Sequence, residues 1–407
     1  MNLYSGFILR GICCALAASV AAVAVTASAM TAMSAEKVGI GYLHTFAKGR
    51  VTISILDQPP ENLGVAGAEV GINDNNTTGR FMGQEFALED VRLKPGDDIV
   101  PALDKLYGEG FRFMVLDVSA DDVVKAADHF KGRDVLLFNA GALDDRLRNE
   151  DCRANVIHTA PSRAILADGL AQYLIWKQWR EWFLVHGSNP ADKLWADALR
   201  RAAQRFGAKI VAEKEYKDTG AARQTDSGHA QVQKQMPAFT QDGGDYDVLV
   251  AADESEVFAT YLPYRTWQAR PVAGSAGLVP QSWHQSFEGW GAAQIQNRFE
   301  KAAGRRMTGL DMQAWTAVRM VGEAATRTKS TEPGKIEAFI KDKEFAIAAF
   351  KGQRVTLRDW NWQLRQPVLL ADGRNVVSVS PQEGFLHQFS ELDTLGYDRP
   401  ESGCKLD

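Results

Sequence analysis

The sequence lacks the short motifs that are typical of nucleotide, metal or covalent chemistry. It contains no P-loop, no His-Glu-x-x-His motif and no Cys-x-x-Cys pair. No two of its seven histidines stand four residues apart, which argues against a zinc site. The segment AGSAG (273–277) lacks the first glycine of a nucleophile elbow. These absences predict a protein that is not an enzyme and that requires no metal or cofactor.

Long basic runs are missing as well. The chain has 46 Lys and Arg against 51 Asp and Glu, a formal net charge of −5. Nucleic-acid-binding proteins concentrate positive charge on one face or in one stretch of chain. We therefore expect no nucleic-acid partner.

Charge is absent from the 20 residues that follow Arg10, GICCALAASVAAVAVTASAM. A basic start, an apolar run and small residues at its end are typical of a secretory signal peptide. We predict a signal peptide over residues 1–35, with cleavage after Ala35 (Ala29 is the second choice) and export to the periplasm. A membrane anchor is the alternative, because about 20 apolar residues can span a bilayer.

Cysteine is scarce, with four in the chain. Cys13 and Cys14 would be removed with the signal peptide, which leaves Cys152 and Cys404. In an oxidising compartment an even pair of cysteines is a disulfide candidate. Two free buried thiols are the alternative.

The remaining sequence alternates short apolar strands with amphipathic helices, a pattern that favours parallel sheets with crossover helices. We predict a first unit with strands at 37–43, 85–93, 111–118, 134–140 and 154–159 and helices at 61–76, 97–110 and 120–130. After a long helix at 162–180, a second unit has strands at 181–187, 208–216, 246–253 and 271–277 and helices at 190–206, 229–239 and 254–269. Helices at 294–304 and 309–326 follow, then a strand pair around an Asp372-Gly373 turn.

The polar run INDNNTTGRFMGQ (72–84) is interpreted as the end of the first helix, because Asn and Gly tolerate left-handed backbone there. This junction, the strand order and the midpoint helix resemble type I periplasmic solute-binding proteins of ABC importers, the branched-chain amino-acid-binding type. The resemblance implies an α/β fold of two doubly wound parallel-sheet lobes, joined by three crossings, with ligand in the cleft. It assigns residues 36–158 and 284–350 to lobe one and residues 159–283 and 351–407 to lobe two.

Several segments are similar to a narrower subfamily, which occurs with PQQ-dependent alcohol dehydrogenase systems: LHTFAKGR, DNNTTGRFMGQ, CRANVIHTAPSRAILAD, YLPYRTWQARPVAGSAGL, WGAAQIQNRFE and GFLHQFSELDTLGYDRPES. This similarity implies pyrroloquinoline quinone, or a compound of quinoprotein alcohol metabolism, as the bound ligand. It also implies an ABC importer permease as partner for a monomeric protein. The alternative is a ligand sensor or a cofactor-carrying accessory protein for a periplasmic quinoprotein dehydrogenase.

The loop after the third strand departs from amino-acid binders of that family. Those proteins use a hydroxyl-rich loop, whereas this chain has Ser119 followed by Ala120 and two acids. A free amino acid is therefore not the expected ligand.

In open α/β sheets, ligands bind beyond the carboxyl ends of the strands. Lobe one then contributes the candidate ligand-binding residues His44, Thr45, Ser119, Asn139, Gly141 and Thr159. Lobe two contributes Lys193, Trp195, Asp253, Glu254 and Ser275, and the crossing contributes Trp283 and Trp290. The tryptophans offer flat stacking surfaces, and buried packing is the alternative for each. Trp360 and Trp362 are predicted to share one face of a strand.

Overall fold

The computed structural model describes residues 35–45, 59–217 and 232–406. Residues 1–34 of the predicted signal peptide lie outside the described ranges. No helix within the described ranges combines the length and the apolar character needed to cross a membrane.

The strands are β1 Glu36–Thr45, β2 Gln84–Leu93, β3 Phe113–Asp117, β4 Leu136–Asn139, β5 Val156–His158, β6 Glu181–Gly187, β7 Lys209–Tyr216, β8 Val248–Ala252, β9 Val272–Gly274, β10 Val279–Gln281, β11 Ile347–Ala348, β12 Arg354–Val355, β13 Val368–Ala371 and β14 Val376–Ser380. The helices are α1 Val65–Met82, α2 Val100–Gly108, α3 Ala120–His129, α4 Arg163–Trp176, α5 Pro190–Phe206, α6 Val232–Phe239, α7 Leu262–Arg265, α8 Ala292–Ala303, α9 Gly309–Thr328 and α10 Pro333–Ile340.

Two parallel sheets form the cores of two lobes. The first has five strands in the order β2-β1-β3-β4-β5, and the second has four in the order β7-β6-β8-β9. Their central strands read as short apolar runs because helices cover both faces of each sheet. In β3 and β8 almost every residue is buried. The predicted fold class, two parallel-sheet α/β lobes, is confirmed.

Helix α1 packs against α9, and this contact explains the polar run at its end. The prediction that the helix stops near Asn76 is wrong, since α1 continues to Met82 and ends at Gly83, which is left-handed with φ 67°. Asn75 is buried and donates to the carbonyl of Val318 in α9 at 2.9 Å. Asn76 accepts from the backbone N–H of Phe86 at 2.8 Å. The polar side chains therefore attach α1 to its neighbours.

Two local predictions in the second half of the chain are also wrong. Instead of one helix over 254–269, the chain has a short 3₁₀ turn at Ala259–Tyr261 and the four-residue helix α7. Trp360 and Trp362 do not share the face of a strand, because the chain turns there and Trp362 has φ 52°.

The chain passes between the lobes at three crossings, near Thr159, near Ser282 and near Gln366. The third lies later than the predicted boundary after residue 350, because Val355 and Leu364 still pack in the lobe-one core. The buried ammonium of Lys351 donates to the Ser282 carbonyl at 2.9 Å and to Gln366 Oε1 at 2.5 Å. Gln366 Nε2 in turn donates to the Thr159 carbonyl at 2.8 Å. One lysine and one glutamine thus connect all three crossings.

The C-terminal segment contacts both lobes. Arg201 of α5 donates to the Gly396 carbonyl at 3.0 Å and to Glu401 at 3.3 Å. Three residues further on, Cys404 forms a disulfide with Cys152, which follows β4. The cysteines predicted to pair are therefore bonded across 252 residues of chain.

Candidate ligand-binding cleft

Two neighbouring cavities lie at the carboxyl ends of the lobe-two strands. The Trp195 cavity has a volume of about 360 Å³ and is lined by Leu143, Leu166, Trp195, Asp253, Glu254, Glu256, Gly274, Ser275, Val279 and Pro280. The Trp283 cavity has a volume of about 430 Å³, and its lining includes Ser275, Val279, Gln281, Trp283, His284, Met307 and Thr308. The two cavities share Ser275 and Val279. Both volumes are in the range of small-molecule sites.

The buried end of α5 positions Trp195. The helix begins with a capping box, in which Asn189 and Asp192 bond to each other's backbone N–H groups. Asp192 is fully buried and also accepts from the backbone N–H of Ser255 at 2.8 Å. The cap therefore fixes the loop after β8 beside the indole of Trp195.

Asp253 shapes the same loop with its side chain. Its carboxylate accepts from the backbone N–H groups of Val257, Phe258 and Ala259 at 2.7–2.8 Å. Its own N–H donates to Ser275 Oγ at 2.8 Å, which joins the loops after β8 and β9. Burial raises the pKa of Asp253, and the three backbone donors oppose that rise. The Asp253 carboxylate thus stabilises the loop that forms the cavity wall.

Arg163 links the two lobes at the edge of the Trp195 cavity. It donates to both carboxylate oxygens of Glu254, at 2.8 and 2.7 Å, and to Asp144 of the loop after β4 at 3.0 Å. Burial lowers the pKa of Arg163, but the bonds to Glu254 outweigh burial and keep the guanidinium charged. The bidentate pair with Glu254 is a strong, directional contact within lobe two, and the bond to Asp144 extends it to lobe one.

The Trp283 cavity lies beside the start of α9. Trp283 is buried and packs edge to face against Phe287, with ring centroids 5.6 Å apart. Thr308 caps α9 through its hydroxyl, which accepts from the Asp311 N–H. Burial lowers the pKa of His284, so its imidazole is neutral at pH 7. This cavity combines an aromatic wall with the neutral groups of His284 and Thr308 and with two charged side chains, Arg306 and Asp372.

The structure brings five of the predicted site residues together on these cavities: Trp195, Asp253, Glu254, Ser275 and Trp283. Neither cavity is lined by the remaining eight: His44, Thr45, Ser119, Asn139, Gly141, Thr159, Lys193 and Trp290.

Several of these eight have local structural partners instead. His44 lies 2.9 Å from Asp90 of β2, and burial lowers its pKa. Ser119 caps α3 by accepting from the Asp122 N–H. Asn139 accepts from the Ala142 N–H and so closes the loop after β4.

The others lie at turns, crossings or the surface. Thr45 ends β1 and is half-buried. Gly141 packs so closely that an added Cβ would lie 2.3 Å from Asp117 Oδ1. The carbonyl of Thr159 joins the crossings, and Lys193 lies 3.8 Å from Glu215. Trp290 is 59% exposed.

Sequence reasoning misses Arg163, Asp144 and Asp117. Arg163 follows the predicted loop after β5 by one residue, and an arginine inside a predicted helix gives no sign of two acidic partners. Asp117 ends β3, is half-buried beside the Tyr42 hydroxyl, and has a pKa that desolvation raises to about 6. An acid closing an apolar strand is the signal that could have found it. No cluster of metal-ligating side chains occurs within the described ranges.

Comparison with known proteins identifies the family. The sequence profile of the family described as periplasmic binding protein matches residues 58–374. A search of curated proteins finds no match.

Solved structures with the same fold include three similar proteins. A branched-chain amino-acid ABC transporter periplasmic ligand-binding protein from Burkholderia xenovorans is 17% identical, with a TM-score of 0.66, over 84% of this chain and 95% of that one. A leucine-, isoleucine-, valine-, threonine- and alanine-binding protein from Brucella ovis, in a closed conformation, is 14% identical, with a TM-score of 0.65. The match covers 92% of this chain and 100% of that one. A solute-binding protein from R. palustris, in complex with benzoate, is 11% identical, with a TM-score of 0.62. The match covers 91% of this chain and 100% of that one.

These identities show a shared fold, and the profile match over most of the chain shows the family. The chain therefore belongs to the periplasmic binding protein family and is a binding protein rather than an enzyme.

Proposed function

We propose that this protein is the solute receptor of an ABC importer and holds its ligand in the Trp195 cavity, with the Trp283 cavity alongside. The contact of Arg163 with Asp144 of lobe one and Glu254 of lobe two carries the proposal. It connects the two lobes beside the wall of the Trp195 cavity, to which Glu254 belongs. A ligand touching both lobes would favour the closed state, which a permease could then recognise.

The cavity walls support a small solute with an apolar part. Trp195, Leu143 and Leu166 supply the apolar surface. Three acids, Asp253, Glu254 and Glu256, also line the cavity. The positive charge of Arg163 is already shared between two carboxylates. Together these groups favour an uncharged or positively charged solute.

The charge of the cavity wall distinguishes between the two ligands that the subfamily resemblance implies. Pyrroloquinoline quinone is a flat polyanion, and the residues that line the Trp195 cavity include acids but no Lys or Arg that could pair with it. An alcohol of quinoprotein metabolism carries no charge and would place its carbon chain against Trp195. We therefore propose an alcohol-type solute as the first candidate and the quinone as the second.

Titration of the purified mature protein tests this proposal. Short-chain and aromatic alcohols and pyrroloquinoline quinone are added separately, while tryptophan fluorescence and melting temperature are recorded. We expect an alcohol to quench fluorescence and raise the melting temperature. Trp195→Phe should weaken this response, whereas Trp267→Phe, at a half-exposed position outside both cavities, should leave it unchanged.

Two outcomes would contradict the proposal. Absence of saturable binding by every candidate would remove the receptor function. A stable complex with a periplasmic quinoprotein dehydrogenase, without any complex with an ABC permease, would favour the accessory role instead.

A further inference from the structure

A third cavity, away from the cleft, has the features of a second ligand site. Its volume is about 540 Å³. Its walls come from residues 341–345 after α10, from residues 356–365 near the third crossing and from residues 387–400 of the C-terminal segment. None of its lining residues lines the Trp195 or Trp283 cavity. We call it the Trp360 cavity.

Two tryptophans form its aromatic surface, and cations hold them in place. The guanidinium carbons of Arg358, Arg365 and Arg399 lie 5.4, 5.3 and 5.1 Å from the Trp360 ring centroid. The Lys341 ammonium lies 5.3 Å from the Trp362 ring centroid. Cations at this distance are attracted to the ring face and restrict its movement. The cavity therefore presents ordered aromatic surfaces before any ligand enters.

Both indoles carry a hydrogen-bond donor without an acceptor. Trp360 Nε1 and Trp362 Nε1 are buried and have no hydrogen-bond partner within the described parts of the chain. Buried donors are almost always paired, because an unpaired one loses its bond to water without replacement. Two such groups on the wall of one cavity point to a ligand that supplies acceptor oxygens.

The four Lys and Arg side chains that line the cavity, Lys341, Lys343, Arg365 and Arg399, equal its four lining acids in number, but they are unevenly paired. Asp393 pairs with Arg358 and Arg365, Asp359 pairs with Arg399, and Asp398 lies 3.2 Å from His387. The Asp342 carboxylate accepts from the Glu344 N–H at 2.8 Å.

Lys341 is paired with Glu337 and also donates to the Ala154 carbonyl. Lys343 lines the same cavity and makes no ion pair with any described residue. Lys343 is thus the lining cation without an acidic partner among the described residues, and a single negative charge would find a counterion in it.

We propose that the Trp360 cavity binds a small aromatic monocarboxylate. The ring of the ligand packs against the indole edges that the cations leave open, and its carboxylate accepts from the two indole N–H groups and pairs with Lys343. The volume is sufficient for one- and two-ring acids. Because residues 356–365 adjoin the third crossing, the bound acid would contact the chain where it passes between the lobes.

Calorimetric titration of the full mature protein with benzoate, the simplest such acid, tests the site. We expect saturable binding that Trp360→Phe and Trp362→Phe each weaken about tenfold or more, since phenylalanine keeps the ring and removes the donor. Lys343→Gln should weaken binding about threefold to tenfold. Benzamide, which has the same shape without the charge, should bind less tightly than benzoate to the wild type.

Control variants separate this site from the cleft and from folding defects. Trp195→Phe should leave benzoate affinity unchanged, since that indole lines a different cavity. Lys343 is exposed, so Lys343→Gln tests the site even if a tryptophan variant lowers the melting temperature. Absence of benzoate binding, or binding that Trp195→Phe weakens while Lys343→Gln and both tryptophan variants leave it unchanged, would overturn the proposal.

Discussion

Arg163 forms ion pairs with acids on both sides of the cleft. It lies at the start of α4, is almost fully buried and satisfies carboxylates from both lobes. Removing one member of such a group leaves the others buried without a counterion, which costs more than the intact pair contributes. Its role is therefore structural as well as functional.

Arg163→Met should lower the free energy of unfolding by about 2–3 kcal/mol at pH 7, below the value for a fully buried pair because Glu254 and Asp144 are about a quarter exposed. Urea denaturation measures the change. The loss should shrink in acid, because burial raises the pKa of Glu254 and its carboxylate then takes up a proton and no longer needs a counterion. Arg200→Met removes a more exposed pair with Glu213 and should cost less than about 1 kcal/mol. Equal losses for both variants would contradict this account.

Lys351 introduces a pH dependence at the crossings. Burial lowers its pKa from 10.5 to about 7, so the folded protein releases this proton near pH 7 while the unfolded chain holds it up to about 10.5. Between these values the unfolded state binds more protons, and the contribution of Lys351 to stability therefore rises with pH.

Lys351→Met should remove this rise. The stability of the wild type relative to the variant should increase between pH 7 and pH 9, by up to about 1.4 kcal/mol per pH unit. Urea denaturation at several pH values measures it. Parallel curves for the two proteins would show that the lysine does not titrate in this range.

The contact between α1 and α9 shows how far sequence patterns can predict a helix. The apolar periodicity locates α1, but the end is misplaced because Asn75 and Asn76 resemble capping residues. Their actual partners, Val318 and Phe86, belong to other elements and cannot be identified from local sequence. Similarly, the Asp253 carboxylate accepts hydrogen bonds from three backbone N–H groups. These bonds bend the chain and prevent the helix predicted over 254–269.

Gly322 on α9 offers a direct test of this helix contact. An added Cβ would lie 2.0 Å from Asn75 Oδ1, and Asn75 is held in place by Val318 and Arg319. Gly322→Ala should therefore lower the free energy of unfolding by about 1–3 kcal/mol, measured by urea denaturation.

Gly334 on α10 provides the matched control. An added Cβ there has no neighbour within 4 Å. Gly334→Ala should stabilise the protein by up to about 1 kcal/mol through helix propensity. If both substitutions stabilise, the α1–α9 contact is looser than the distances indicate.

The two-lobed architecture was predictable because alternating strands and helices leave few other arrangements for a parallel sheet. The residues of lobe two that line the cavities were also predictable, since they follow strand ends. Arg163 and the partners of Lys351 were not, because each depends on segments far apart in sequence that meet only in the folded chain.

The disulfide should contribute strongly to the stability of the whole protein, since it closes a loop of 252 residues. The double variant Cys152→Ala, Cys404→Ala should lower the free energy of unfolding by about 2–5 kcal/mol in urea. A reducing agent should destabilise the wild type and leave the double variant unchanged. An identical denaturation midpoint for both proteins would contradict this expectation.

The same bond limits how far the two halves can separate. Glu401 is fixed to Arg201 in one lobe, and Cys404 is covalently attached to the other. Three residues of fully extended chain reach only about 10 Å. If the lobes separate further than this, the C-terminal segment must therefore detach from α5. The bonds of Arg201 to Gly396 and Glu401 thus limit how wide the cleft can open.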